Sequence, residues 1–161
     1  QLNEAYDWLV EMKQTMDPIY VGDDVIDNMI SGIKDMAVMY SGDANYVLSE
    51  NPDMAYFVPN EGTNTWVDAM VIPTNAPNVE LAHEWMNYMI SAEGSLRITE
   101  EIGYTSPIQS VIDEVTAAGG AYEGIDSYVT RTGYDKDEEF FYDADTKVIL
   151  SNLWQRIKAI Q

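Results

Sequence analysis

The sequence predicts an α/β fold built on a mainly parallel sheet, and two observations lead to this class. First, three short segments rich in apolar residues and ended by Gly or Pro signals predict strands at 36–40, 54–58 and 65–72. The first of them has no polar alternation, which is typical of a strand buried on both faces. Second, segments with helical apolar spacing separate and follow these runs, and strands that alternate with helices indicate parallel pairing.

The N-terminal helices follow from apolar spacing and from end signals. The opening residues have the i, i+3, i+4 spacing of a helix with no capping residue ahead, set by Leu2, Ala5, Tyr6 and Leu9. The chain therefore begins like the middle of a helix, and we expect it to be part of a longer protein. Pro18 ends this helix, because the residue before a proline avoids the helical region. A second helix is expected over 23–30 with Gly32 as its C-terminal stop, and a third over 44–49.

Side-chain caps mark the remaining helices. Asn78 is the expected cap of a helix whose apolar stripe consists of Val79, Ala82, Trp85, Met86, Met89 and Ile90. Ser91 begins another helix that ends at Gly103, and Asp143 begins the last one. The segment 117–133 is rich in glycine and turn residues, so we expect it to be irregular.

The charge balance excludes several classes of partner. Eight Lys and Arg against 28 Asp and Glu give a net charge of −20, and such a chain repels phosphate backbones and anionic lipid surfaces. We therefore expect no nucleic-acid binding and no basic membrane anchor, whereas cationic partners are favoured. The absence of cysteine removes disulfides, thiolate metal sites and cysteine nucleophiles. No apolar run approaches the length of a membrane span.

Motifs of known catalysis or cofactor binding are absent from the sequence. There is no Gly-rich phosphate loop, no GxSxG elbow and no HExxH motif. The single histidine, His83, is expected to be solvated on the polar side of its helix. Residues 135–139 resemble the start of a calcium loop, but Phe140 occupies the sixth position, where that loop needs glycine. No motif therefore points to a catalytic site, and we expect no metal site and no cofactor.

An aromatic residue and an acid share one predicted strand. Trp66 and Asp68 are two positions apart, so on a strand they face the same side. An aromatic face beside a carboxylate suits a ligand with an apolar stem and a cationic head, because the ring attracts the cation and the carboxylate binds it. Tyr40 ends the first predicted strand, at 36–40, where a pocket would open. A core tryptophan, and an acid bonded to the backbone at a strand edge, are the alternatives from these residues alone.

Three motifs in a fixed order resemble the C-terminal half of the spermidine/putrescine-binding proteins of bacterial ABC transporters. They are VMYSGDA at 38–44, EGTNTWVDAMVIP at 61–73 and EIGYTSP at 101–107, with Asn78 and its helix between the last two. The resemblance covers most of the chain and is clearest from 36 to 107. The combination is more specific than any single motif.

The resemblance implies a periplasmic-binding-protein type II-like fold, in which two α/β lobes close on the ligand. By this resemblance residues 1–69 form lobe two and the crossing strand, residues 70–107 are the returning segment of lobe one, and residues 108–161 belong to lobe two. Most of lobe one would then be missing. Apolar residues such as Trp85 would lose their sheet partners, so we predict that the chain self-associates by swapping the 70–107 segment.

The resemblance also implies ligand-binding roles for four residues. Trp66 would stack on the methylenes of a polyamine, and Asp68 would bind an ammonium group. Tyr104 would come from the lobe-one segment, and Tyr40 would supply an aromatic wall where the family often has tryptophan. The predicted function is that of the extracytoplasmic substrate-binding component of an ABC importer, in the periplasm or lipid-anchored on the outer face of the cell membrane. By this resemblance the protein is expected to capture and deliver a ligand and not to be an enzyme. Its partners would be a polyamine and the permease subunits.

Two other functions stay open. Related proteins of the same fold carry ferric iron or thiamine, so another cationic or organic solute is the first alternative. The second is an extracellular carbohydrate-binding or carbohydrate-processing module, which could also use tryptophan with aspartate. Among 28 acids no spacing singles out the carboxylate pair that a glycoside hydrolase needs, and none excludes it.

Overall fold

The computed structural model describes residues 2–160, which contain seven α-helices and two short strands. In chain order they are α1 (Leu2–Met16), α2 (Asp24–Ile30), α3 (Ser41–Glu50), β1 (Asn64–Thr65), α4 (Val79–Met89), α5 (Ala92–Ile102), α6 (Gln109–Thr116), β2 (Glu138–Glu139) and α7 (Ala144–Lys158). The described residues divide into two compact units, of which the first combines 2–22 with 139–160 and the second is Asp23–Glu138. No helix in this part of the chain is both long enough and apolar enough to cross a bilayer.

The first unit is a pair of packed helices. α1 contacts α7, and the side chains that line the apolar groove of this pair are Leu2, Ala5, Tyr6, Leu9, Leu150, Leu153, Trp154 and Ile157. Ile157 is fully buried, and the Arg156 guanidinium lies 4.3 Å from the centre of the Tyr6 ring. The predicted opening helix is therefore confirmed, and the side chains with apolar spacing are the ones that line the groove with α7. Asp17, with φ 47°, follows its last residue and precedes Pro18.

The second unit has its buried core between α6 and the turn-rich segment that follows it. Val111, Val115 and Tyr128 are fully buried, and Tyr122 stacks on Tyr128 with 4.2 Å between ring centroids. Hydroxyl groups tie α5 to this core. The Thr99 and Tyr128 hydroxyls are 2.7 Å apart, and the Tyr122 hydroxyl donates to the Thr99 carbonyl at 2.7 Å. The C-terminal end of α5 is thereby held in place.

The helix ends predicted from side chains are confirmed. The caps, each with the residue whose N–H it accepts, are Asn78 with Leu81 (2.9 Å), Ser91 with Gly94 (3.1 Å) and Asp143 with Thr146 (2.7 Å). Gly32 and Gly103 follow the ends of α2 and α5 in left-handed conformations, with φ of 69° and 75°. Residues 117–133 form turns and irregular chain, as predicted.

The three predicted strands do not form as strands. Of residues 36–40, 54–58 and 65–72, Thr65 alone lies in a strand, namely β1. Val38 is fully exposed, so the prediction that its run is buried on both faces is wrong. The physical reason is that a strand needs neighbouring backbone to satisfy its N–H and C=O groups, and the sheet in residues 2–160 consists of β1 and β2. The expected parallel sheet is therefore absent there, and Trp66 and Asp68 share no strand.

An ion pair holds the chain just before Trp66. Asp137 accepts hydrogen bonds from Arg131 Nε at 2.8 Å and from the Thr63 N–H at 3.0 Å. The Glu138 N–H donates to the Thr63 carbonyl at 3.0 Å. Because the Arg131 guanidinium hydrogen-bonds the carboxylate, the pKa of Asp137 lies below its ordinary value. These contacts anchor the start of the segment that carries the predicted site.

Candidate ligand-binding site

Three aromatic residues from distant parts of the second unit come together. The Trp66 ring centroid lies 5.1 Å from that of Tyr40 and 6.4 Å from that of Tyr104. Both pairs are edge-on, with interplanar angles of 63° and 72°, which is a favoured geometry because the positive edge of one ring meets the negative face of the other. The structure therefore groups three of the four residues that the sequence analysis assigns to the site.

The cluster is open to solvent. Trp66 keeps 36% of its surface exposed and Tyr40 keeps 59%, while Tyr104 is half-buried. Trp66 is thus not part of the buried core around Val111 and Tyr128. Aromatic surface that is held in place and yet accessible can contact the apolar stem or the cationic head of a ligand.

A carboxylate, that of Asp43, borders the same cluster. The Tyr104 hydroxyl donates to Asp43 Oδ1 at 3.2 Å. Burial, the charge of Asp43 and this hydrogen bond raise the pKa of Tyr104 to about 12, with smaller contributions from Tyr40 and Asp68. Asp68, two residues after Trp66, contributes to this shift although its side chain is exposed. The arrangement combines aromatic faces with negative charge, which suits a cation.

Two glycines allow the segments that carry these residues to approach closely. A Cβ at Gly42, in the first turn of α3, would lie 2.1 Å from the Tyr104 ring. A Cβ at Gly103 would lie 2.8 Å from the Gly42 carbonyl oxygen, and Gly103 also has the positive φ that disfavours other residues. Tyr40 is the residue directly before α3. The start of α3 and the end of α5 therefore meet backbone to backbone, and this contact sets the position of Tyr104.

The other residues considered as possible sites, His83 and the segment 135–139, lie outside this cluster. His83 is exposed on α4, as predicted. Asp137, in the segment that resembles a calcium loop, pairs with Arg131 instead. Among residues 2–160, no group of three or more His, Cys, Asp or Glu side chains could hold a metal ion. Part of the predicted apolar stripe of α4 is uncovered, with Trp85 59% exposed.

Sequence reasoning missed Asp43 as a member of the site. The residue appears in the VMYSGDA motif, but its role depends on the contact between α3 and Tyr104, which are far apart in sequence. The available signal was its position in the first turn of a helix that follows a predicted strand. An acid at that place lies at the end of the strand where ligands bind in α/β proteins.

The family comparison covers every residue of this cluster. A family model described as bacterial extracellular solute-binding protein matches residues 1–123. The chain belongs to this family. The location outside the cytoplasm that the sequence predicts for this solute-binding protein agrees with the family description and with its periplasmic relatives.

Curated relatives carry a more specific name. The solute-binding protein is 29% identical over 110 residues to Spermidine/putrescine-binding periplasmic protein 1 of Haemophilus influenzae, a match that covers 68% of this chain and 30% of the relative. It is 25% identical over 109 residues to the Spermidine/putrescine-binding periplasmic proteins of Salmonella typhimurium and Escherichia coli, with 66% of this chain and 30% of each relative covered. The chain thus spans about 30% of the length of these relatives. The comparison with solved structures found no significant match.

Proposed function

We propose that this solute-binding protein captures polyamines for an ABC importer, with Tyr40, Trp66, Tyr104 and Asp68 as ligand contacts. The observation that carries the proposal is the accessible aromatic cluster with Asp43 at its border and with Asp68 two residues after Trp66. The names of the curated relatives support the same ligand class.

The chemistry of a polyamine matches this arrangement. Several ammonium groups are separated by short methylene stems, so the ligand needs alternating carboxylates and apolar faces. Trp66 would cover methylenes and attract a neighbouring cation, an interaction of about 0.5–2 kcal/mol depending on desolvation. Asp68 would accept a charge-assisted hydrogen bond from an ammonium group. Capture and release of this kind require no covalent step, in keeping with a transport component and not an enzyme.

The wider architecture forms part of the proposal. By the resemblance, residues 1–69 with 108–161 contribute to one lobe of a type II fold and residues 70–107 to the other, and permease subunits receive the ligand. Exposed apolar residues outside the helices, such as Val38, Phe57 and Val71, support this arrangement, since apolar surface of this kind is usually covered by other segments.

Ligand titration followed by NMR tests the proposed function. The chain covers about 30% of its relatives, so we expect weak affinity, which the Trp66 indole N–H signal can report at high ligand concentration. Spermidine and putrescine are expected to shift this signal. Butane-1,4-diol, which has the carbon stem of putrescine without its charges, is expected to leave the signal in place.

The same titration separates the alternatives. A neutral oligosaccharide that shifts the Trp66 signal while both polyamines fail would favour a carbohydrate module. A response to thiamine but to no polyamine would favour another cationic solute. Either result would contradict the proposed ligand class.

Self-association through residues 70–107 stays a prediction. Its support is a set of exposed apolar side chains on this segment, namely Met70, Val71, Val79, Leu81, Trp85, Tyr88 and Ile90. Large apolar patches tend to be covered by association. Light scattering is expected to give a dimer or a larger species, and a monodisperse monomer would contradict the prediction.

A further inference from the structure

A buried asparagine connects the two segments that meet beneath the aromatic cluster. Asn45 lies one turn after the start of α3 and is only 6% exposed. Its Nδ2 donates to the Gly103 carbonyl at 2.6 Å, and its Oδ1 accepts from the buried Ser127 hydroxyl. The side chain therefore joins α3, the end of α5 and the turn before Tyr128.

The chemistry of these partners fixes the orientation of the amide. The Gly103 carbonyl has no proton and accepts only, so the NH₂ end of Asn45 must face it. The Ser127 hydroxyl donates to the amide oxygen, Oδ1. No aliphatic side chain can satisfy both groups, and a buried polar group left without a partner destabilises the fold.

The carbonyl that Asn45 binds belongs to the residue directly before Tyr104. On the other side, the Tyr104 carbonyl accepts from Thr99 Oγ1 at 2.5 Å. The backbone on both sides of the Tyr104 Cα is thus held by side-chain hydrogen bonds. The ring lies against Gly42 and within hydrogen-bond distance of Asp43.

We propose that Asn45 is a positioning residue of the ligand site, which holds the Gly103 carbonyl so that the Tyr104 ring stays against Gly42 and its hydroxyl on Asp43. Asn45 is buried beneath the cluster and acts through Tyr104, without a ligand contact of its own. The link to ligand binding rests on the proposed function, whereas the link to Tyr104 does not.

The test compares Asn45→Ala with Ser95→Ala by following the ¹³Cζ signal of Tyr104, assigned with Tyr104→Phe, through an alkaline titration. Ser95 is a matched control because it is equally buried and its hydroxyl bonds Ser106 at 2.6 Å, away from Asn45. In the parent chain and in Ser95→Ala we expect a midpoint near 12. In Asn45→Ala the midpoint is expected to fall toward the ordinary value of 10, because the ring moves away from Asp43 into water.

The outcomes separate the two proposals. A folded Asn45→Ala variant whose Tyr104 still titrates near 12 would overturn the positioning role. If that variant does not fold, Asn45→Ser decides, because serine keeps a hydroxyl for Ser127 but is too short to replace the Nδ2 donor to the Gly103 carbonyl. A lowered midpoint supports the role, and an unchanged midpoint in this variant rejects it. Spermidine affinity is expected to fall roughly tenfold with Asn45→Ala. A lowered midpoint in a chain that binds no polyamine would reject the proposed function and leave the positioning role intact.

Discussion

Replacement of Asp68 by asparagine is expected to weaken the affinity for spermidine by about 1.5–3 kcal/mol, the scale of a hydrogen bond to a charged group. The change keeps the size of the side chain and removes its charge, so an ammonium group loses its ionic partner. Because Asp68 is exposed and lies outside any helix or strand, the fold itself should not change. The dissociation constants from NMR titrations of the two proteins measure the effect.

The matched control for this change is Asp53→Asn. Asp53 is also an exposed aspartate outside the helices of the second unit, so its replacement alters the net charge by the same amount. We expect the control to bind spermidine as the parent chain does. Equal affinities of Asp68→Asn and the parent chain would show that Asp68 is not a ligand contact.

Replacement of Trp66 by alanine is expected to cost at least about 2 kcal/mol of spermidine affinity, a loss of roughly thirtyfold. The indole is the common member of both aromatic pairs in the cluster, so its removal takes away the stacking surface and the support of the two tyrosines. Trp66→Phe should keep part of the affinity, because a smaller ring still covers methylenes. NMR titration observed on the Tyr104 ring gives the comparison.

Trp85→Ala is the control for the loss of an indole. Trp85 lies on α4 and is 59% exposed, more than the 36% of Trp66. Its replacement is expected to leave spermidine affinity unchanged. A similar loss of affinity in both alanine variants would mean that the effect does not come from stacking at the cluster.

The helices were predictable because their signals are local. Caps such as Asn78, Ser91 and Asp143 bond N–H groups three residues away, so the sequence contains both partners. Helix α6 was not predicted, although its apolar residues have helical spacing (Ile108, Val111, Ile112 and Val115). The reason is that Ile108, in the cap position, has no side chain that can bond the first N–H groups of the helix. The predicted strands failed for the opposite reason. Apolar content near Val38 favours a strand, but its pairing depends on other segments.

The candidate site was predictable only as a set of residues. Motif order indicated Tyr40, Trp66, Asp68 and Tyr104, but the segments of Tyr40 and Tyr104 meet through the approach of Gly42 to Gly103, which no local pattern encodes. The burial of Asn45 could not be predicted from the sequence, because a polar residue in a helix is expected to be exposed. Its partners, Gly103 and Ser127, are far away in the chain. Long-range hydrogen bonds decide such roles, and spacing does not reveal them.

The phenol of Tyr104 keeps its proton to a higher pH than a free tyrosine does. The unfolded chain would release this proton near 10, whereas the folded one keeps it to about 12. Since the native state then carries the extra proton, the free energy of unfolding decreases as the pH climbs through that interval. Alkyl ammonium groups of the lysine type lose their own proton at about 10.4. A polyamine, the proposed ligand, would therefore lose its charge before the phenolate forms, so the amine and not the phenol would set the upper pH of binding.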